Sequence, residues 1–368
     1  MIYLDANASE PVRPAARAAV LEAMALVGNP ASVHGAGRAA RRLVEAARET
    51  IGSAINADPA GIVFTSGGTE ADALAIHCLG HGRRLIVGAT EHDAVRAAAP
   101  EAVILPVDGN GVARPDRLEA LLANGPPALV CLMLANNETG TVQPVADAAS
   151  ICRRHGALLH VDAVQAAGRI PVDAASLGAT SLALSSHKLG GPAGAGALVL
   201  APDAPAGPAL IAGGGQERGR RGGTPALPAI AGFAAAVAEA SPTAAAPLAG
   251  LRDAIEAAAI ACGAQVLGAR APRLPNTTCL ALPGAKAETQ VIALDLAGIA
   301  VSAGAACSSG KVSRSHVLAA MGFDALAGEA IRVSLPWSAA AADVDAFATA
   351  YAAMAARLGA GRLAARAA

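Results

Sequence analysis

Lysine occurs three times in this chain, at Lys188, Lys286 and Lys311, and the other 25 of its 28 basic residues are arginine. A chain so poor in lysine keeps one where an amine is needed, because an amine forms a Schiff base with a carbonyl and a guanidinium does not. Lys188 is the one in a suggestive setting. It follows the apolar run Leu182-Ala183-Leu184 and two hydroxyls, Ser185-Ser186, and it precedes the turn Leu189-Gly190-Gly191-Pro192. Lys286 and Lys311, taken alone, read as solvated charges. A second candidate is Phe64-Thr65-Ser66-Gly67-Gly68-Thr69-Glu70. Glycines between a strand and a helix let backbone N–H groups and the helix dipole face an anion such as a phosphate. The glycine spacing matches neither the dinucleotide nor the P-loop pattern, so no nucleotide is indicated.

These residues need a scaffold that brings them together. Apolar stretches at Ile62–Phe64, Arg84–Ala89, Ala102–Val107, Ala128–Leu134, Ala157–Val161, Leu182–Leu184 and Gly194–Leu200 read as strands. Helical spacing is expected from Pro14 to Leu26, from Arg38 to Ile55, up to His155, and from beyond Thr224 to Ala240. Alternation of this kind predicts an α/β fold, a mainly parallel sheet with helices on both faces. Ligands of such sheets sit at the carboxyl ends of strands. Thr69, His92, Asn137, Asp162, Gln165 and Lys188 all fall at or just after such ends, and this convergence outweighs any one of them. Ser241-Pro242-Thr243 through Pro247 marks the expected boundary. The large domain is then 14–246, and a smaller α/β domain comprises 1–13 and 247–368. In the smaller domain, strands at Thr277–Leu282 and Ile331–Ser334 alternate with helices.

Composition narrows the function class. The apolar content is 54% and the mean hydropathy +0.44, yet much of this is alanine, and no long bulky apolar run escapes glycine, proline or charge. A soluble chain without a secretory signal is expected, with the cytoplasm as its compartment and no membrane partner. The six cysteines show no CxxC spacing, which speaks against a zinc site or a disulfide framework, so no metal is expected. A net charge of −1 offers no electrostatic case for nucleic acid, and the glycine-arginine run Gly213–Thr224 is short and lacks aromatics.

With these motifs placed, the chain resembles the cysteine desulfurases, pyridoxal-phosphate enzymes of the class V aminotransferase type. These include the nitrogen-fixation and iron-sulfur-assembly sulfur donors. The resemblance runs from Tyr3-Leu4-Asp5 to Arg332, with the motifs in family order and near family spacing. It implies a fold type I transferase architecture with pyridoxal 5'-phosphate as cofactor. In the Ser-x-His-Lys segment it assigns Lys188 to holding the cofactor and moving the substrate's Cα proton. In His-Val-Asp-Ala-x-Gln it assigns Asp162 to the ring nitrogen and Gln165 to the ring hydroxyl. His92 of Thr-Glu-His would stack on the ring, with Asn137 near the hydroxyl and substrate. Gly68, Thr69, Ser185 and His187 would hold the phosphate. Thr224, at the end of the Gly213–Thr224 segment, would reach it from the second subunit of a homodimer. Arg332 would clamp the substrate carboxylate, assisted by Asn29.

The same resemblance makes Cys307 the nucleophile. Its setting, Val301-Ser302-Ala303-Gly304-Ala305-Ala306-Cys307-Ser308-Ser309-Gly310-Lys311, offers a thiol little to pack against. Lys311 and Arg314 are candidates for a positive charge that favours the thiolate. The implied reaction converts L-cysteine to L-alanine and leaves a persulfide on Cys307 for a protein acceptor, either an iron-sulfur scaffold or a tRNA-thiolation partner. Selenocysteine lyase and aminotransferase activities are the rivals within the fold, and Cys307 argues against the latter because transamination needs no thiol. A cofactor-free sulfur carrier or scaffold is the rival outside enzymology. Intact Lys188, Asp162 and Arg332 argue against it.

Overall fold

The structure, a computed structural model, describes residues 1–304 and 314–367, with side chains described as far as residue 358. Cys307 and Lys311 therefore lie outside the described residues. The strands are β1 Ile2–Tyr3, β2 Ile62–Thr65, β3 Arg84–Gly88, β4 Val103–Leu105, β5 Ala128–Cys131, β6 Leu158–Asp162, β7 Ser181–Ser185 and β8 Gly196–Leu200. They are followed by β9 Gln265–Leu267, β10 Thr277–Ala281, β11 Ile299–Ala300, β12 Ser302–Ala303 and β13 Ala330–Ser334.

Seven of them form one sheet in the order β2-β8-β7-β6-β5-β3-β4. β3 to β7 pair in parallel, whereas β8 runs antiparallel to both its neighbours. The mainly parallel α/β architecture read from the sequence is thus the one found. Alternate residues of a strand face opposite sides, and here both sides are packed. Ala128 and Val130 join one apolar cluster with the helices Gly35–Ala54, Val145–Arg154 and Leu227–Glu239. Leu129 and Cys131 join another with the helix that follows β2.

Of the first four helices, the third and fourth begin at the site and the first two precede them in the chain. Helix α1 spans Pro14–Met24 and opens with proline at its first position, where a missing N–H costs nothing. Helix α2, Gly35–Ala54, starts inside the glycine-rich stretch, because the His34 side chain caps it by accepting the Gly37 N–H at 3.3 Å. Ala40, Val44, Ala47 and Ile51 form its buried stripe at helical spacing. Helix α3, Gly68–Leu79, opens at the glycine turn, and α4, Asp93–Ala98, opens directly after His92.

A four-stranded antiparallel sheet, β12-β13-β10-β9, carries the second core with the helices Leu248–Ala261 and Ala287–Leu296 and the first part of the last helix. The N-terminus packs there: Ile2 and Tyr3 pair in parallel with Ile299 and Ala300, and Leu4 is buried in that core. The Ser241–Pro247 stretch holds a short helix, Pro242–Ala245, capped by Ser241 Oγ on the Ala244 N–H. The helices Asp93–Ala98, Pro115–Ala123 and Ala174–Leu177 and the three-residue strand β9 have no counterpart in the sequence reading. All are short, and β9 is set by its pairing with β10 rather than by an apolar pattern of its own. Among the described residues no single helix is long and apolar enough to cross a membrane.

Candidate active site

A cavity of about 400 Å³ opens at the carboxyl ends of β2, β5, β6 and β7 and is closed on the far side by the second sheet. Gly68, Thr69, His92, Asn137, Asp162 and Gln165 line it, as do Ser185, His187, Lys188 and Arg332. The ten come from segments up to 264 positions apart (Gly68 to Arg332), and the sheet topology alone brings them together.

One wall is the β2–α3 turn. The Thr65 hydroxyl donates to the Gly67 carbonyl at 2.9 Å, and the Ser66 N–H donates to Glu70 Oε2 at 2.8 Å, which leaves the first-turn N–H groups of α3 aimed at the cavity. Gly68 is required here by close approach: a Cβ would lie 2.8 Å from Val164 Cγ2 and 3.4 Å from Ser185 Cβ. Across from it, Ser185 Oγ is buried without a hydrogen-bond partner, an acceptor and donor waiting for a polar group. His187, beside it, meets Ser9 Oγ at 3.3 Å, and burial, then the Lys188 and Arg169 charges, push its imidazole down to about 4. It is neutral at physiological pH.

The floor is the end of β6. Asp162 accepts the Val164 N–H at 2.9 Å, and burial followed by the charge of Asp72 pushes its carboxyl up to about 7. Gln165 donates through Nε2 to the Asn7 carbonyl at 3.0 Å and accepts from Arg169 at 2.7 Å, so its amide orientation is set on both sides. Arg169 in turn meets Glu10 at 3.1 Å, both side chains buried. His92 caps α4, its Nδ1 accepting the Ala94 N–H at 3.1 Å, which places the proton of the neutral ring on Nε2.

The amine of Lys188 donates to the Asn7 carbonyl and, at 2.9 Å, to the Ala8 carbonyl. Arg332, 1% exposed, donates to Asp5 Oδ1 at 2.7 Å and to the Asn137 carbonyl at 3.2 Å. The N-terminal segment thus orients both the amine and the guanidinium. Asp5, Asn7 and Ala8 line the cavity, and the sequence reading did not select them. It also passed over Asp72, which lies one helical turn beyond Thr69 on the face of α3 that meets the site.

Two expected residues stand elsewhere within the single chain. Asn29 is exposed in the α1–α2 connection, its Oδ1 accepting the Ala31 N–H at 2.9 Å. Thr224 is exposed at the end of the glycine-arginine segment. That segment is pinned rather than loose. Glu217, buried, accepts from Arg48 and from the Phe64 N–H, both at 2.9 Å, and Arg221 meets Glu70 at 2.8 Å. Glu217 and Arg218 adopt φ of 48° and 59°, left-handed backbone that costs about 1–3 kcal/mol per residue unless its surroundings hold it.

The profile of the family described as aminotransferase class-V matches residues 2–347. A curated cysteine desulfurase of Cereibacter sphaeroides is 46% identical over 366 aligned residues, covering 94% of this chain and 93% of that protein. An IscS-like cysteine desulfurase of Mycobacterium tuberculosis is 37% identical, with 94% of each chain covered. Among solved structures, a NifS-like protein from Rickettsia africae aligns with a TM-score of 0.89 at 32% identity, over 96% of this chain and 99% of that one.

Proposed function

The chain belongs to the class-V aminotransferase family and, within it, to the cysteine desulfurases, and on that premise we propose how its cavity takes sulfur from L-cysteine. The family implies pyridoxal 5'-phosphate, and the cavity's own atoms suit it. The unpartnered Ser185 Oγ and the Gly68 cradle, which a Cβ would fill, face the N-terminus of α3, while a carboxylate lies on the floor and an amine on the wall. When bound, that cofactor supplies an electron-accepting ring that stabilises negative charge at the substrate Cα.

The protein's residues then divide the work. The N–H groups of Gly68 and Thr69, with Ser185 and His187, hold the phosphate. Asp162 holds the proton of the ring nitrogen, and Gln165 and Asn137 border the ring hydroxyl. Arg332, oriented by Asp5 and the Asn137 carbonyl, binds the substrate carboxylate with two parallel N–H bonds, a task a lysine performs badly. Lys188, anchoring the cofactor and flanked by the Asn7 and Ala8 carbonyls, moves the Cα proton, and His92 can pass a second proton through Nε2. The thiolate of Cys307 attacks the substrate sulfur. An S–S bond forms, the C–S bond breaks with its electron pair left on the carbon fragment, and protonation of that fragment yields L-alanine. The persulfide on Cys307 passes to a protein acceptor, an iron-sulfur scaffold or a tRNA-thiolation protein. Thr224 completes the phosphate site of a second subunit in a cytoplasmic homodimer.

The observation that carries this reading is the meeting of Lys188, Asp162 and Arg332 in one cavity. The test is the purified protein's visible spectrum together with alanine release from L-cysteine. Lys188→Ala should lose the band of the bound cofactor. Cys307→Ser should keep it and release no alanine above background, and alanine release at the wild-type rate by that variant would remove Cys307 from the mechanism.

A further inference from the structure

A second carboxylate lies beneath the cavity and the mechanism above does not use it. Asp72 stands three residues after Thr69, on the same face of α3. It lines the cavity yet is only 1% exposed. Its Oδ1 lies 3.0 Å from Nε2 of His160, and Nδ1 of that imidazole lies 2.8 Å from Ser181 Oγ. His160 precedes Asp162 by two residues on β6, so the two side chains share one face of the sheet. Both ring nitrogens of His160 are therefore engaged, and the imidazole links α3, β6 and β7 with no exposed surface of its own.

We infer that Asp72 is a positioning residue for Asp162: the two form a proton-sharing carboxylate pair that sets the pH at which the site accepts the cationic ring nitrogen of its cofactor. The inference rests on the functional reading above. Its geometric basis is that both acids line the one cavity, and that His160, which Asp72 meets, stands on Asp162's own face of β6. Burial holds His160 neutral, down to about 4, so it meets Asp72 as a hydrogen-bonding group and not as a counter-ion. Asp72 is pushed up to about 7 by burial, and Asp162 likewise by burial and then by Asp72 itself. Two like charges in a low-dielectric site are not both formed at little cost, and the pair retains a proton in common until a cation arrives.

Among the described residues, the one ionisable base that the neighbours of α3 bring to both acids is the imidazole of His92, whose charge favours the carboxylates while burial and their mutual repulsion oppose them. Of the elements packed on α3, β2, β7 and β8 carry no ionisable side chain. β5 contributes the buried Cys131, and the β3–α4 connection contributes Glu91 and His92. Glu91 is itself buried and pushed up by burial, adding a third acid to the same side. Asp93 and Arg96 of α4 meet each other at the surface, and Lys188 and Arg332 line the cavity with partners of their own. An asparagine at position 72 would accept the same hydrogen bond from His160 without burying an ionisable group, so a merely structural role gives no reason for the acid.

The test uses the full-length protein stripped of cofactor and titrated with pyridoxal 5'-phosphate between pH 5.5 and 8.5, binding being read by visible absorbance. Affinity should fall on the acid side as Asp162 gains its proton. Asp72→Asn removes the like charge and keeps the hydrogen bond, so its acid limb should move about one unit lower in pH, giving about five- to tenfold tighter binding than wild type near pH 6. Acid limbs that superimpose, with whatever change in melting temperature, would overturn the inference. If the variant does not fold, ¹⁵N shifts of His160 in the unloaded wild type decide: a tautomer response with a midpoint near 7, where Asp72 titrates, supports it, and invariant shifts overturn it. Absence of pyridoxal phosphate binding by either protein at any pH would remove the functional reading and the inference with it. Binding with coincident limbs removes the inference alone.

Discussion

Gly68→Ala isolates the contribution of close approach at the anion turn. Gly68 is the first residue of α3 and its backbone is helical, so alanine meets no conformational strain and gains up to about 1 kcal/mol of helix propensity. Against this, the new methyl would lie 2.8 Å from Val164 Cγ2, where carbon atoms in contact sit about 3.5–4.0 Å apart. Val164 is β-branched, with little freedom to rotate away, and overpacking of this kind costs about 1–3 kcal/mol. The net loss is about 1–2 kcal/mol, and it falls at the turn proposed to hold the phosphate. The dissociation constant for pyridoxal 5'-phosphate, measured on the unloaded protein by absorbance, should rise about 5- to 30-fold. Val164→Ala removes the clashing methyl, so the double variant should bind within about threefold of Val164→Ala alone, the coupling a double-mutant cycle reads. If Gly68→Ala binds as tightly as wild type, or the second substitution gives no relief, the turn does not hold the phosphate in the manner described.

Arg332→Lys should lower kcat/KM for L-cysteine by about 30- to 200-fold, through the loss of a bidentate, charge-assisted contact of about 2–3 kcal/mol, and should leave cofactor binding intact. Equal losses in cofactor affinity would place Arg332 in the scaffold instead. Glu217→Gln leaves the buried Arg48 with the half-exposed Glu45 as its remaining counter-charge, and the fold should lose about 1–3 kcal/mol in urea denaturation, with faster amide exchange along β2. Unchanged exchange there would mean the glycine-arginine segment is held by other contacts. The acid cluster also predicts a pH dependence for the unloaded protein. Asp72 and Asp162, pushed up to about 7, bind protons more tightly folded than unfolded, so they destabilise the fold increasingly as pH rises from their ordinary range toward 7. The Asp72→Asn/Asp162→Asn variant should therefore gain about 1–3 kcal/mol relative to wild type between pH 5 and pH 8, as measured by urea unfolding. His160, held down to about 4, acts in the opposite sense below its ordinary value in both proteins. A difference that is flat with pH would show that neither acid carries a raised affinity for protons.

Much of the site was legible because strand ends are legible. Apolar runs that stop at a polar residue mark the carboxyl edge of a parallel sheet, and Thr69, His92, Asn137, Asp162, Gln165 and Lys188 could be placed on one rim without knowing the strand order. Asp72 left a weaker trace, a carboxylate one helical turn beyond Thr69, and His160 another, two residues before Asp162 on the same strand. Asp5, Asn7 and Ala8 left none. They reach Arg332, Gln165 and Lys188 through the parallel pairing of Ile2 and Tyr3 with Ile299 and Ala300, a contact spanning nearly 300 positions. The glycine-arginine run, unremarkable as composition, is held by Glu217 and Arg221 against partners more than 150 positions away.

The amino-acid sequence by itself determined which chemical groups are available and that they lie at strand ends, because residue type and periodicity are local properties. It placed an amine where an amine is needed, a glycine where a phosphate can approach, and a thiol in a segment of small residues. Tertiary structure decided the rest. It chose the carbonyls that hold Lys188, the carboxylate that orients Arg332, and the burial that moves Asp72, Asp162 and His160 from their ordinary ranges. Those are matters of distance and dielectric between segments remote in the chain, and they exist only once the two sheets close on the cavity between them.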